Sequence, residues 1–478
     1  MIKKSEFSDI EQTLIEEFTF RVGNDISELR SEISGMRLDR QIRRFPLWIL
    51  RALKKRLTRR VSPLIKNKIK LSLFRLRGFR AKFRSPKKIK VDRGVSYSRK
   101  REKKSLLILA HGYPQREGDY QGMPVARRVP FYQEAGFKVT VLVPGPGRSS
   151  SSIVDQTGTK IFSAPLKELE KVAKRVGASQ LVVHSPTPDF FVATKNLMLD
   201  LPTSVWIHGF EARNWRELQF DFSDEDIALN GLKLVIINVE RRWALAELFS
   251  NPAVNKVFVS EFMRSVAEDF TGTTINNGQV IHNVIDTNVF PFMPKPEAMR
   301  MSVCSVRSFA KRNYATDLMG KAIFELSRMP WFSKMQFQII GDGHFFDLDT
   351  KLISSFQNVK VTKKFVGPGA LKTVFEESGI ALMPTRWDSQ GMLTGEAMAS
   401  GLVPVVNGVT AIPEFISPTE GKLAKSESYL ELAEGIADLV ENPKEFLEMS
   451  HAAHNRVVEQ CGPAATVEKE IELFRQSE

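Results

Sequence analysis

TRWDSQGMLTGEAMASGLVPVV, residues 385–406, joins the apolar run Ile380–Pro384 to a second apolar run, Val403–Val406, through a glycine-bearing loop and a helix former. Asp388 and Glu396 stand eight residues apart, Gly391 and Gly395 fall between them, and EAMAS from Glu396 has the composition of a helix. A strand, a glycine loop and a helix N-terminus, in that order, present backbone N–H groups and the positive end of the helix dipole at one edge of a sheet. That arrangement suits a diphosphate, and a carboxylate in the helix's first turn can accept hydrogen bonds from a ribose diol. Taken as a bare pattern, it is also what any strand–loop–helix unit with a glycine and a capping acid looks like.

Working outward, β-branched runs alternate with helix-length segments from Ser105 onward. The expected strands are Leu106–Ala110, Lys138–Val143, Leu181–His184, Ser204–His208, Leu234–Asn238 and Val257–Ser260, followed by Ser302–Arg307, Phe337–Gly341, Val359–Val361, Ile380–Pro384 and Val403–Val406. Runs this apolar at this spacing predict parallel strands with helices on both faces. The chain is therefore α/β, with two doubly wound, Rossmann-like domains facing a cleft, and FPFMPKPEAM near Phe290 to Met301 breaks the pattern between them. The division reads 105–292 and 293–478, with the last helix able to cross back to the first domain. Ligands of open α/β sheets sit beyond the carboxyl ends of the strands, which puts the site in the cleft.

The chain has 478 residues and a net charge of +14, and the charge is concentrated. Residues 1–35 carry −4, residues 36–104 carry +24 and residues 105–478 carry −6, so the α/β body is not a nucleic-acid surface on charge grounds. In residues 1–36, Phe7, Ile10, Leu14, Phe18, Val22, Ile26, Leu29, Ile33 and Met36 form one helical stripe, broken at Gly23–Asn24, which either packs on the protein or self-associates. In residues 37–104, Leu50, Leu53, Leu57, Val61 and Leu64 and then Ile65, Ile69, Leu73, Leu76, Phe79 and Phe83 make apolar stripes flanked by Lys and Arg. Such a basic amphipathic arm suits an anionic membrane surface, through residues 37–90, or a helical arm packed on the body; RNA binding would expose its aromatics among the bases instead. Cys304 and Cys461 lie far apart without a Cys/His cluster, which fits a reducing compartment and no structural zinc. No apolar run reaches the 18 or so residues of a membrane span, and the start lacks a signal-peptide core.

Several elements together carry a resemblance. The stretch from Asp388 to Val406 resembles the signature of retaining nucleotide-sugar glycosyltransferases of family 4, of GT-B architecture: an acidic residue, seven residues, then Glu opening EAMAxGxPVV. VIHNVIDTNVF (Val280–Phe290) is similar to the family's linker, SVRSFAKRN (Ser305–Asn313) to its Gly-Arg-Leu…Lys-Gly element, and Phe337–Gly343 and the helix from Val259 also fit. The resemblance covers about 105–478. It implies that Glu396 holds the nucleotide ribose, that Arg307 with Lys311 or Arg312 neutralises the diphosphate, and that Asp388 with backbone groups of Gln390, Gly391, Met392 and Leu393 contacts the donor sugar.

In the first domain, His184 and His208 end strands. WIHGFE resembles the strand end whose histidine points at the donor sugar and phosphates, which implies a catalytic His208 beside Asp388 and Arg307, while VVHSP resembles a mainly structural element. HGYPQREGDYQGMP resembles the family's acceptor loop, with Gly118 and Gly122 in place of the usual adjacent pair. Asp224–Glu225–Asp226 reads as a helix start or solvated surface, so no metal and no bound cofactor are expected. Asp388 for the commoner Glu shortens its reach by one methylene. The reading is a glycosyltransferase of polysaccharide or glycolipid assembly, cytoplasmic and peripheral at the inner membrane face. Its partners would be a nucleotide-sugar donor, a glycan or lipid-linked acceptor and no nucleic acid. The alternatives are a GT-B epimerase, which would need acid/base carboxylates in the cleft, and an anchored scaffold with a degenerate nucleotide fold.

Overall fold

The computed structural model describes residues 104–114, 122–145, 151–155 and 157–477. The readings made on residues 1–103 and on Gly118 lie outside them. Residues 99–221 and 238–478 form one compact unit that holds two sheets.

The first sheet has eight strands: β1 (Ser105–Leu109), β2 (Lys138–Pro144), β3 (Ser151–Val154), β4 (Lys160–Ala164), β5 (Gln180–His184), β6 (Thr203–Ile207), β7 (Val254–Phe258) and β8 (Gly278–Val280). Their order is β3-β4-β2-β1-β5-β6-β7-β8, parallel throughout except for β3 on β4. The second has six parallel strands: β9 (Ser302–Val306), β10 (Gln336–Gly341), β11 (Val359–Lys363), β12 (Ile380–Leu382), β13 (Val403–Asn407) and β14 (Lys422–Ala424), in the order β11-β10-β9-β12-β13-β14. Alternate residues feed opposite faces: Val303, Ile339, Ile380 and Val405 join one core, and Cys304, Ile340, Ala381 and Val406 the other. Burial on both faces is why these strands read as unbroken apolar runs.

One expected strand is wrong. Leu234–Asn238 lies inside a helix, Asp224–Phe249. The run LVII is β-branched, but Ser223 and Asp226 open the segment with a reciprocal cap, Asp226 N–H to Ser223 Oγ at 3.1 Å and Ser223 N–H to Asp226 Oδ2 at 3.0 Å. The helix-forming ALAELF continues it, so the strand preference of four residues loses to 26 residues of helix.

Each sheet reverses direction once. In the first, β1 lies between β2 and β5; in the second, β9 lies between β10 and β12. Those two switch points fix where ligands can enter. The chain closes by crossing back. The helix Pro443–Cys461 packs on the second sheet's unit, and Val467–Gln476 returns to the first, where Phe474 meets Tyr132, Phe137 and Trp206.

Candidate functional site

Arg307 follows β9 at the switch point of the second sheet. It is buried, its Nη2 donates to the Met383 carbonyl beyond β12 at 2.7 Å and approaches Thr394 Oγ1 at 3.4 Å, and its guanidinium lies 5.7 Å from the Tyr314 ring. Its Nε is buried without a hydrogen-bond partner. Burial lowers its affinity for the proton, while Asp388 and Tyr314 act the other way. An arginine stays charged regardless, so this is a desolvated cation with a donor still to satisfy.

Beside it, Asp388 Oδ1 accepts from Gly391 N–H at 2.8 Å and Gln390 N–H at 3.3 Å. Thr410 Oγ1 pins the Asp388 peptide from both sides, at 3.0 and 2.9 Å. Gly391, at φ +79°, is the cap of the helix Met392–Ala399, which has no side-chain cap. Only glycine holds that conformation at no cost. Helix geometry leaves the N–H groups of Met392, Leu393 and Thr394 without a carbonyl partner inside the helix. A buried cation and an uncapped helix N-terminus thus share one edge of the sheet, through Thr394.

The other expected donor residues divide. The Gln390 side chain is already engaged: its amide clamps the Asn283 peptide, accepting from N–H at 2.7 Å and donating to the carbonyl at 2.9 Å. Its backbone N–H is already bonded to Asp388. Arg312 is held by Asp349, whose two oxygens lie 2.7 and 2.8 Å from Nη1, and rests on the Phe345 ring at 3.6 Å. Lys311 is exposed. Glu396 is 1% exposed, and its carboxylate forms an ion pair with Arg127 of the first sheet's domain. Sequence reading missed Arg127 altogether, because nothing local marks a residue whose partner lies on another sheet.

In the first domain, His184 ends β5 and His208 directly follows β6, with His184 Nδ1 2.8 Å from His208 Nε2. The outer nitrogens, His184 Nε2 and His208 Nδ1, are buried without partners. Burial drives both toward the neutral form, with the Arg128 charge adding to it: His208 falls to about 3 and His184 well below its ordinary value. His208 is therefore a neutral hydrogen-bonding group and not a cation. The next turn is fixed by the buried Glu211, which accepts from the His208 and Gly209 N–H groups, and whose own proton affinity burial raises. A Cβ on Gly209 would stand 3.3 Å from the Trp387 ring and 3.6 Å from Ser389. The loop after β6 therefore lies directly against the loop after β12, which brings His208 and Asp388 to the same cleft. Trp387 is held there by Glu217, through Nε1 at 3.1 Å, and by the Arg213 guanidinium 4.2 Å above it.

At the first sheet's switch point His111 stacks on Phe190 (4.1 Å between centroids, 9° between planes), and its Nε2–H donates to the Ser185 carbonyl at 3.0 Å. Gly122, at φ +80°, starts the helix Met123–Ala126, and a Cβ there would overlap the Gly112 carbonyl. Among the described residues no group of three or more His, Cys, Asp or Glu could hold a metal ion, and no helix is long and apolar enough to cross a membrane.

Residues 300–442 match the family model of glycosyl transferases group 1. That span contains Arg307, Asp388, Gly391 and Glu396. An uncharacterized 41.2 kDa protein in the cps region of Klebsiella pneumoniae is 38% identical over 85 residues, 18% of this chain, and the match spans about a quarter (23%) of that relative's length. Among solved structures, sucrose-phosphate synthase from Thermosynechococcus elongatus superposes with a TM-score of 0.63 at 13% identity, over 78% of this chain and 98% of that one. Anabaena HepE in complex with UDP-glucose gives 0.57 at 14% identity, over 78% and 100%. The two-sheet architecture is the GT-B fold expected from the sequence.

Proposed function

We propose that this chain, whose residues 300–442 carry a glycosyl transferases group 1 domain, is a glycosyltransferase that moves a sugar from a nucleoside diphosphate to a glycan or lipid-linked acceptor. The observation that carries the reading is the buried Arg307, its Nε unpartnered, beside the uncapped helix N-terminus at Gly391. Cleaving the bond between an anomeric carbon and a diphosphate develops negative charge on the leaving group. A fixed cation and oriented N–H groups in a desolvated cleft stabilise that charge most in the transition state. Glu396 would take the ribose, Asp388 would orient the helix N-terminus and face the donor sugar, and the neutral His208 would hydrogen-bond the sugar from the opposite wall.

Placement in family 4, and with it retention of anomeric configuration, follows from the residue pattern at Asp388–Val406. The K. pneumoniae relative in a cps region supports a role in surface polysaccharide assembly. The UDP-glucose bound to HepE makes UDP-sugars the first donors to try. The +24 segment supports a cytoplasmic enzyme held at the inner face of the membrane, and residues 7–36 a self-associating stripe. No metal is assigned, because the cation role falls to Arg307.

The test is nucleotide release from a panel of UDP-, GDP- and ADP-sugars by the purified chain, with and without EDTA. Release from one donor, unaffected by EDTA and lost in Arg307→Ala, is the expected result. Absence of release with every donor, alongside acceptor binding that needs no nucleotide, would favour a scaffold and overturn the enzyme reading. The anomeric signal of the product by proton NMR tests retention.

A further inference from the structure

Glu396, the residue assigned to the ribose, is not alone in its pocket. Its carboxylate meets Arg127 through Oε1 and Nη1, with the two side chains 2% and 10% exposed, and the guanidinium also lies 5.7 Å from the buried Phe290 ring of the linker. Arg127 belongs to the first sheet's domain, between the helices Met123–Ala126 and Val129–Glu134. Its backbone is fixed on both sides. Upstream, the turn at Gly122 folds against the Gly112 carbonyl so closely that no side chain fits. Downstream, Arg128 is fully buried: its Nε donates to both Glu470 oxygens (2.9 and 3.2 Å), its Nη2 to Asn283 Oδ1 (3.0 Å) and its Nη1 to the Pro124 carbonyl. Glu470 comes from the crossing-back helix and also accepts from Tyr132 and Trp206. Adjacent arginines thus have different partners, Arg128 the crossing-back Glu470 and the linker Asn283, Arg127 the Glu396 of the donor-site helix.

We propose that Arg127 is a positioning residue of the donor site: it supplies the counter-charge to the buried Glu396 carboxylate and turns that carboxylate toward the ribose diol. The inference rests on the assignment of Glu396 to the ribose. A carboxylate taken out of water needs a paired charge, and the two oxygens of an ionised carboxylate offer about four lone-pair sites, so a paired guanidinium leaves room to accept from hydroxyl groups. Because Arg127 follows the first sheet's switch-point loop and Glu396 lies on a helix of the second sheet, the ribose subsite is built from both sides of the molecule. An incoming nucleotide finds a complete ribose subsite only when both domains contribute.

The experiment measures the dissociation constants of UDP and 2′-deoxy-UDP (and the GDP and ADP pairs) by calorimetry for the full chain. The variants are Arg127→Ala, Arg127→Lys, Glu396→Gln and the Arg127→Ala/Glu396→Gln pair. A hydrogen bond to a charged group is worth roughly a tenfold preference for the ribonucleotide. Arg127→Ala is expected to bring that preference to within about twofold, Arg127→Lys to restore part of it, and the double variant to lose no more than Glu396→Gln alone. Arg127→Ala that weakens both nucleotides equally, or leaves the preference as in wild type, overturns the proposal while Glu396→Gln still collapses it. If Glu396→Gln also leaves the preference intact, the ribose assignment falls and the proposal with it. Thermal unfolding of each variant shows that the compared proteins are folded, and the ribose preference is a ratio that uniform destabilisation does not move.

Discussion

Protonating the His184–His208 pair is the sharpest perturbation the structure offers, because two buried imidazoles face each other nitrogen to nitrogen at 2.8 Å, where only one proton fits. His208 titrates near 3 in the folded chain, depressed first by burial and then by the Arg128 charge. An unfolded histidine titrates near 6.5. The unfolded state therefore binds the proton first, so His208 contributes no penalty above about pH 6.5, and stability falls as pH drops from there toward 3. Linkage gives about 2.5 kcal/mol lost between pH 7 and pH 4.5 from His208 alone. His184, pushed down by burial, His208 and Arg128, adds to the loss with the same sign.

The assay is urea unfolding followed by tryptophan fluorescence at pH 7 and pH 4.5, for wild type and His208→Asn. Carboxylates titrate over the same range in both proteins, so only the difference between them is read. His208→Asn should lose about 2 kcal/mol less on acidification than wild type. Equal losses would refute a neutral, buried His208. The same neutrality predicts that the pH profile of kcat/KM shows no inflection from His208 between pH 5 and 8. An inflection there that disappears in His208→Asn would make it a cation on the phosphates instead.

Glu470→Gln leaves Arg128 as a buried charge without its carboxylate and should cost about 3 kcal/mol, read as a lower urea midpoint; a loss under about 1 kcal/mol would show that the crossing-back helix is not held by this pair. Gly122→Ala places a Cβ onto the Gly112 carbonyl at a positive φ and should cost at least about 1–2 kcal/mol by the same measurement. Deleting residues 37–100 should remove binding to vesicles of anionic phospholipid in a sedimentation assay while sparing donor hydrolysis, and binding that survives would assign membrane contact elsewhere.

The central strands were legible because burial on two faces leaves little choice of residue. β3 (Ser151–Val154) is exposed along its length, and β8 and β14 are three residues each, too short or too polar to signal themselves. Leu234–Asn238 shows the opposite failure, a strand-like run absorbed by its helical flanks. In the site, what the chain writes locally could be read: Arg307 after a strand, Gly391 in a turn that needs positive φ, Asp388 three residues before it. What depends on a distant partner could not. Arg128 and Glu470 are separated by 342 positions, and Arg127 meets Glu396 across two sheets.

Arg312 shows how the two kinds of information conflict, and the outcome bears on the chemistry. The family resemblance offers Lys311 or Arg312 as a second cation on the diphosphate, yet Asp349, buried and 37 residues from Arg312, takes both hydrogen-bonding directions of the Arg312 Nη1 while Phe345 covers the guanidinium face. A guanidinium paired in this way has its charge largely neutralised where it stands, so it adds little to a leaving group elsewhere. In the proposed reaction the departing diphosphate is then left to Arg307, the exposed Lys311 and the N–H groups of Met392 and Leu393. With Arg307 as the buried cation of the proposed diphosphate site, Arg307→Lys is a severe change, because a lysine cannot donate to the Met383 carbonyl and present a second, planar donor edge to phosphate at once.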